Sequence, residues 1–214
     1  MAATVSKAII RQGKTALMVC DVQTKFAKVI FEFDKIIVNS AKLINGMRLF
    51  DVPMIVTEQN PNALGTTSPE LEISGAKGPF AKTKFSMCTE EVLNLNIFSI
   101  EILRKELSKI CSGGPPESIV LIGIEAHVCV EQTALDLLAN GFQVHTVADC
   151  CSSRTQEDRL LAIERMRQFG CHIATSESIL FKLLGDAKHP KFKEVQRLVK
   201  TPSLYTGIVP LSKI

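Results

Sequence analysis

The sequence predicts a doubly wound α/β fold, a mostly parallel sheet with helices on both faces. Three observations predict it: unbroken apolar runs of strand length, helical periodicity in the stretches between them, and an acid or polar turn closing each run. A strand buried on both faces reads as a continuous hydrophobic run, whereas a surface strand alternates. Strands that alternate with helices along a chain imply a layered architecture around a parallel sheet. At 214 residues the chain suits one domain spanning 1–214, with a core over about 13–200 and a tail from Thr201, because no linker separates two smaller units.

The first strand is KTALMVCD, 14–21, a short apolar run that ends on Asp21. Phe26 follows on a loop or short helical turn, where it lines a pocket or simply packs. Asp34 is placed to cap a helix running through Phe50, with Ile36, Ile37, Ala41, Ile44, Met47 and Leu49 facing inward. PMIVT at 53–57 is the second strand. The stretch from Glu58 to Pro79, rich in Gly, Pro, Asn and Ser, is too long for a simple connection and reads as an active-site loop. FAKTKFSM at 80–87 then sets Lys82 and Lys84 among apolar neighbours. Residues 90–110 carry a helical apolar pattern that SGGPPE at 112–117 stops.

Ile119 to Ile124 is apolar apart from Gly123, another strand buried on both faces. From Val128 the period changes: Val130, Ala134, Leu137 and Leu138 share one helical face, and Glu131, Gln132 and Asp136 fall elsewhere. FQVHTVA at 142–148 is a further strand, closed by Asp149. A helix follows from Thr155 or Gln156 to Phe169, ended by Gly170, then a short strand at 171–174 and helices at 178–184 and 191–200. The tail from Thr201 has no core of its own and is expected against a neighbouring subunit.

Composition narrows the function. A hydrophobic fraction of 46%, a charged fraction of 22% and a net charge of +3 describe an ordinary globule, and the scattered Lys and Arg make no basic stripe for nucleic acid. No apolar run approaches the roughly 18 residues of a membrane span, and the N-terminus lacks the hydrophobic region of a secretory signal. Seven cysteines without a CxxC form neither a disulfide framework nor a zinc pattern, which points to a reducing, cytoplasmic compartment; the missing acids near the N-terminus leave a mitochondrial route open. The four histidines show no close ligand spacing, so no metal site is expected.

Cys129 stands where a buried strand hands over to a helix. A lone cysteine beside an apolar run is usually core, but a thiol in a first helical turn meets unpaired N–H groups and the positive end of the helix dipole, which favour thiolate. Residues 125–128 offer no Ser, Thr, Asp or Asn to cap those donors. Asp21 lies at the carboxyl end of its strand, the edge where open α/β sheets gather function. A partly buried lysine near such a carboxylate stays charged and can stabilise an anion.

Taken together, the strand ending in Asp21-x-Gln23, Lys82 followed by Phe85-Ser86, and GIEAHVCVEQTALD around Cys129 resemble the isochorismatase-like cysteine hydrolase superfamily, closest to the isochorismatase domain-containing proteins. The resemblance implies a triad in which Asp21 takes the thiol proton and later delivers it to the leaving group. Lys82 favours the ionised partners, and Cys129 attacks a carbonyl-like carbon to form a thioester-type intermediate that water releases. It implies a cis peptide between Ile124 and Glu125 that aims the N–H groups of Glu125 and Cys129 at one oxyanion. Phe26 would wall the pocket, and Gln23, Ala126 and His127 would contact substrate, with His127 and Ser152 also having structural readings. Lys84 rivals Lys82, but the lysine-x-x-aromatic-Ser pattern selects Lys82. Metal-dependent relatives carry Asp-x-His and further histidines that this chain lacks, so neither metal nor other cofactor is expected. Retention of the cysteine favours a small amide, ureido or related C–N substrate over a vinyl ether. A homo-oligomer, dimer or tetramer, is implied as well.

Overall fold

The computed structural model describes residues 9–89 and 116–208. The helical pattern expected over 90–110 lies outside them. Within them are six strands, β1 (Thr15–Cys20), β2 (Met54–Gln59), β3 (Lys77–Lys82), β4 (Ser118–Ile124), β5 (Gln143–Ser152) and β6 (His172–Ala174). They form one sheet in the order β3-β2-β1-β4-β5-β6, every neighbouring pair parallel. The helices are α1 (Phe33–Leu49), the single turn α2 (Pro61–Leu64), α3 (Glu131–Ala139), α4 (Gln156–Phe169), α5 (Ser176–Leu184) and α6 (Phe192–Val199).

The alternation of side chains along a strand sends one set to each face. Leu17 and Val19 of β1 join Val120 and Ile122 of β4 beneath α1, α5 and α6, in a core that includes Ile44, Leu180 and Val195. Ala16, Met18 and Cys20 join Ile119 and Leu121 on the other face, beneath α3 and α4, with Ala134, Leu137, Ile163 and Met166. The continuous apolar runs are therefore strands covered on both sides, and the doubly wound architecture stands. Strand order reverses between β1 and β4, opening a crevice at their carboxyl ends.

Several elements differ from expectation. Helix α1 begins at Phe33 after a left-handed Glu32, and Asp34 lies inside its first turn instead of capping it. The stretch from 58 to 79 is not one loop: it holds α2 and the start of edge strand β3, and the Glu58 carboxylate pins it by accepting from Thr67 N (2.6 Å) and Thr67 Oγ1 (2.8 Å). Strand β5 runs through Asp149 to Ser152, past a register shift against β4. Glu131 is buried, not on a polar face, because the Arg165 guanidinium grips its carboxylate with two bonds of 2.8 and 2.6 Å. The described part of the tail folds back on its own chain. Asn39 accepts from Leu204 N (2.8 Å) and donates to Leu204 O (3.0 Å), and the buried Arg159 donates to Thr206 O, Thr206 Oγ1 and Ala148 O.

Candidate active site

Strand β1 delivers Asp21 to the crevice, and the backbone turns there through a left-handed residue, φ 54°. Such a conformation is uncommon for a non-glycine residue. The Asp21 carboxylate is buried and accepts from Thr57 Oγ1 at 2.8 Å on Oδ1 and from Lys82 Nζ at 2.6 Å on Oδ2. Lys82 comes from the end of β3, two strands away. Its ammonium also donates to Gln59 Oε1 (2.7 Å) and to the carbonyls of Lys84 (3.1 Å) and Phe85 (2.8 Å). Four oxygens thus surround a cation whose side chain is 0% exposed. Lys84 is elsewhere, half exposed and paired with Asp136 at 2.9 Å.

Strand β4 delivers Cys129. The expected cis bond between Ile124 and Glu125 is absent; among the described residues the cis bond is Gly78–Pro79. Glu125 makes the turn instead with φ 54° and ψ 60°, the same left-handed device that ends β1, so the chain leaves both strands sharply without a cis peptide. The next turn, Ala126–Val130, is π-helical and has no side-chain cap at its start. Wide turns of this kind recur at functional sites. Cys129 is 5% exposed. Its carbonyl accepts from Thr133 Oγ1 at 2.6 Å, and that oxygen accepts from Met87 N at 2.9 Å, which ties the cysteine turn to the segment after Lys82.

Cys20, the last residue of β1, stands beside the ion pair. The Cys20 thiol lies 3.5 Å from Asp21 Oδ2 and belongs to the same packed cluster as Cys129. Burial first, then the neighbouring Cys129 and the negative charge of Asp21, push the Cys20 thiol well above its ordinary range. Burial likewise raises Cys88 to about 11, Cys151 to about 12 and Cys171 to about 11.

The remaining expectations separate. Gln23 is wholly buried and spends its amide on the scaffold: Oε1 accepts from Gln59 N (2.8 Å), and Nε2 donates to the carbonyls of Gln59 (3.1 Å) and Gly65 (2.6 Å). It positions the strand ends and is not free to bind substrate through that nitrogen. Ala126 is 0% exposed, which leaves its side chain in the core. Phe26 sits in a short 3-10 turn, Thr24–Lys28, and packs half-buried on the α1 side of the sheet. His127 Nδ1 lies 3.0 Å from Ser153 Oγ and 3.5 Å from Glu125 Oε2, with Nε2 3.9 Å from Asp158. Ser152 donates to Phe31 O at 2.6 Å and is structural. Sequence reasoning missed Cys20, Thr57, Gln59 and Thr133; only Cys20 carried a signal, its place beside Asp21. Among the described residues no group of three or more His, Cys, Asp or Glu side chains is placed to hold a metal ion.

The crevice therefore holds a buried carboxylate–ammonium pair with the Cys20 thiol beside it, at the point where the sheet reverses. Other proteins are similar to this chain in sequence or in fold. A Xenopus laevis protein called isochorismatase domain-containing protein 2 is 46% identical over 200 residues, 94% of this chain and 90% of its own. A solved structure from Caenorhabditis elegans, described as MAR1 ribonuclease, superposes with a TM-score of 0.82 at 43% identity over 96% of this chain and 100% of that one. The Escherichia coli YcaC product, described as an octameric hydrolase of unknown specificity, shares the fold with a TM-score of 0.68 at 20% identity, over 90% of this chain and 97% of its own. The model of the isochorismatase domain matches residues 15–178, which contain Asp21, Lys82 and Cys129, and this chain belongs to the isochorismatase family, with its hydrolase fold.

Proposed function

We propose that this chain is a cofactor-independent cysteine hydrolase acting on a small amide, ureido or related C–N substrate. The observation that carries the reading is the buried Asp21–Lys82 pair at 2.6 Å, with Cys129 tied through Thr133 to Met87 in the segment that follows Lys82. Burying two charges costs several kcal/mol unless geometry and further hydrogen bonds offset it, so such a pair at a sheet's reversal point supports a chemical role. Asp21 would draw the Cys129 proton toward the site, Lys82 would hold the local charge positive enough for a thiolate, and Cys129 would attack the carbonyl carbon. Backbone N–H groups of the uncapped turn after Glu125 would steady the oxyanion. Asp21 would return the proton to the leaving nitrogen, and water would release the acyl group.

The test is ammonia or amine release from a panel of small amides and ureido compounds, with mass spectrometry of the intact protein under turnover. An acyl mass on the wild type that is missing from Cys129→Ala is the expected result. Turnover that survives Cys129→Ala would overturn the reading. The C. elegans neighbour's name favours a second reading, cleavage of RNA. It requires RNA degradation that co-purifies with the chain and disappears in Cys129→Ala or Asp21→Asn. The octameric description of the E. coli neighbour supports the expected self-association, which light scattering would check as a mass that is a multiple of one chain.

A further inference from the structure

Strand β3 lies at the edge of the sheet and pairs with β2, yet it delivers Lys82 to an acid that follows β1, two strands away. A lysine side chain has many rotamers, and holding its ammonium at one point needs contacts that offset the lost freedom. Four oxygens make those contacts, and they are not equivalent. The carbonyls of Lys84 (3.1 Å) and Phe85 (2.8 Å) belong to the lysine's own segment and move with it. Asp21 Oδ2 (2.6 Å) and Gln59 Oε1 (2.7 Å) belong to other parts of the sheet. Among the described residues, Gln59 is therefore the neutral side chain that fixes where the ammonium sits relative to the other strands.

The Gln59 amide has one workable orientation. Its Nε2 donates to Thr83 O at 2.8 Å, so Oε1 faces the ammonium; the reverse would set N–H against N–H and oxygen against a carbonyl. One amide thus grips the end of β3 both at the ammonium and at the backbone. Gln59 is itself gripped: its N–H donates to Gln23 Oε1 (2.8 Å), and its carbonyl accepts from Gln23 Nε2 (3.1 Å). It stands opposite Lys82 in the ladder, and Thr57, two residues earlier on the same face of β2, donates to Asp21 Oδ1 at 2.8 Å. Strand β2 therefore holds both halves of the ion pair, the acid through Thr57 and the ammonium through Gln59.

We propose that Gln59 is a positioning residue that seats Lys82 beside Asp21 without adding a second negative charge, which leaves the field of the ammonium to act on the Cys129 sulfur. A glutamate of the same shape would lose the donor to Thr83 and divide the ammonium between two acids. A leucine would fill the space and leave the ammonium anchored outside its own segment by Asp21 alone. No bond is made or broken at Gln59. The inference rests on Lys82 acting on Cys129 as the proposed function has it.

The experiment follows alkylation of Cys129 by iodoacetamide against pH, resolved by peptide mass, in the wild type, Gln59→Leu, Gln59→Glu, Lys82→Met and Gln59→Leu combined with Lys82→Met. The pH of half-maximal labelling should rise by about one unit in Gln59→Leu, which unseats the cation, and by more in Gln59→Glu, which also neutralises it. In the Lys82→Met background leucine should move it no further, because a residue that acts through the lysine has nothing left to act on. No rise in Gln59→Leu, a glutamate midpoint no higher than the leucine one, or a rise without Lys82 at least about half as large as with it overturns the proposal. A merely structural role gives that last result, since general loosening adds to the Lys82→Met shift. If a leucine protein fails to fold, glutamate decides: a midpoint above the wild type supports the proposal, and one at or below it overturns it. A wild-type Cys129 no more reactive than the other cysteines removes the proposed function, whereas a reactive Cys129 indifferent to residue 59 removes only the role of Gln59.

Discussion

Asp21 and Lys82 are each other's reason for being buried. With 0% of the lysine side chain and 2% of the aspartate exposed, removing one partner strands the other charge without water. Lys82→Met is therefore expected to lower stability by about 3 kcal/mol as well as abolish turnover. Adding Asp21→Asn should recover part of that stability and none of the activity, a coupling that a double-mutant cycle by urea denaturation would measure. This residue-level arrangement was partly legible in the sequence. Asp21 announces itself by closing an apolar run, and Cys129 by standing between a strand and a helix. Choosing Lys82 over Lys84 needed a motif, because the two lysines have the same chemistry: β3 ends at Lys82, whose ammonium reaches Asp21, while Lys84 lies in the bend beyond the strand and pairs with Asp136. Gln23 could not be read correctly: its amide partners, Gln59 and Gly65, are some 40 residues away in sequence.

At the scale of elements, the two strands that carry the site end alike, each on a left-handed residue, Asp21 and Glu125. The periodicity of the chain located both strands and both following segments, but a positive φ at an acidic residue has no signature in composition, and the expected cis bond gave way to it. The C-terminal strap was equally hidden. Its anchors are largely backbone groups, held by Asn39 and by Arg159, and Arg159 reads in the sequence as one more surface charge on an amphipathic helix. In the structure that guanidinium is 0% exposed and joins α4 to Ala148 and Thr206. Burial also lowers its proton affinity, more than the nearby Cys151 and Asp149 raise it. Arg159→Leu is expected to cost about 3 kcal/mol through the carbonyls it leaves unpaired. Limited proteolysis should then cut the variant after Thr201 at protease levels that spare the wild type. Asp149 plays a related part, accepting from Ser176 N (2.7 Å) and Ser176 Oγ (2.6 Å) at the start of α5. It supports a helix and not the reacting edge.

For the whole molecule, the order of strands is what assembles the site: chain segments some 60 and 110 residues from Asp21 converge because β3 and β4 lie on opposite sides of β1 and β2. That topology follows from the alternation of strands and helices visible in the sequence, and one cooperative unfolding transition is expected of it. Among the described residues no helix is long and apolar enough to cross a membrane. Acid should weaken the fold as a whole through His145. This residue is wholly buried, stacked on His172 with ring centroids 4.8 Å apart, and neither of its ring nitrogens has a hydrogen-bond partner among the described residues. Burial, followed by the charges of His172 and Lys182, lowers its pKa from 6.5 to about 3. Between those values the unfolded chain takes up a proton that the folded chain refuses. The contribution is intact above pH 6.5 and lost progressively as pH falls toward 3. His145→Phe should flatten the fall in stability across that window, as read from urea midpoints at successive pH values.

The proposal at the centre of this account is that one of seven cysteines has been set apart by the charges beside it. Its most direct test is the rate at which each cysteine takes iodoacetamide at neutral pH, resolved peptide by peptide. The expected result is that Cys129 labels at least about tenfold faster than Cys88, Cys151 or Cys171, whose buried thiols hold their protons, and loses that advantage in Lys82→Met. A Cys129 that labels no faster than those three, or equally fast without Lys82, would contradict it.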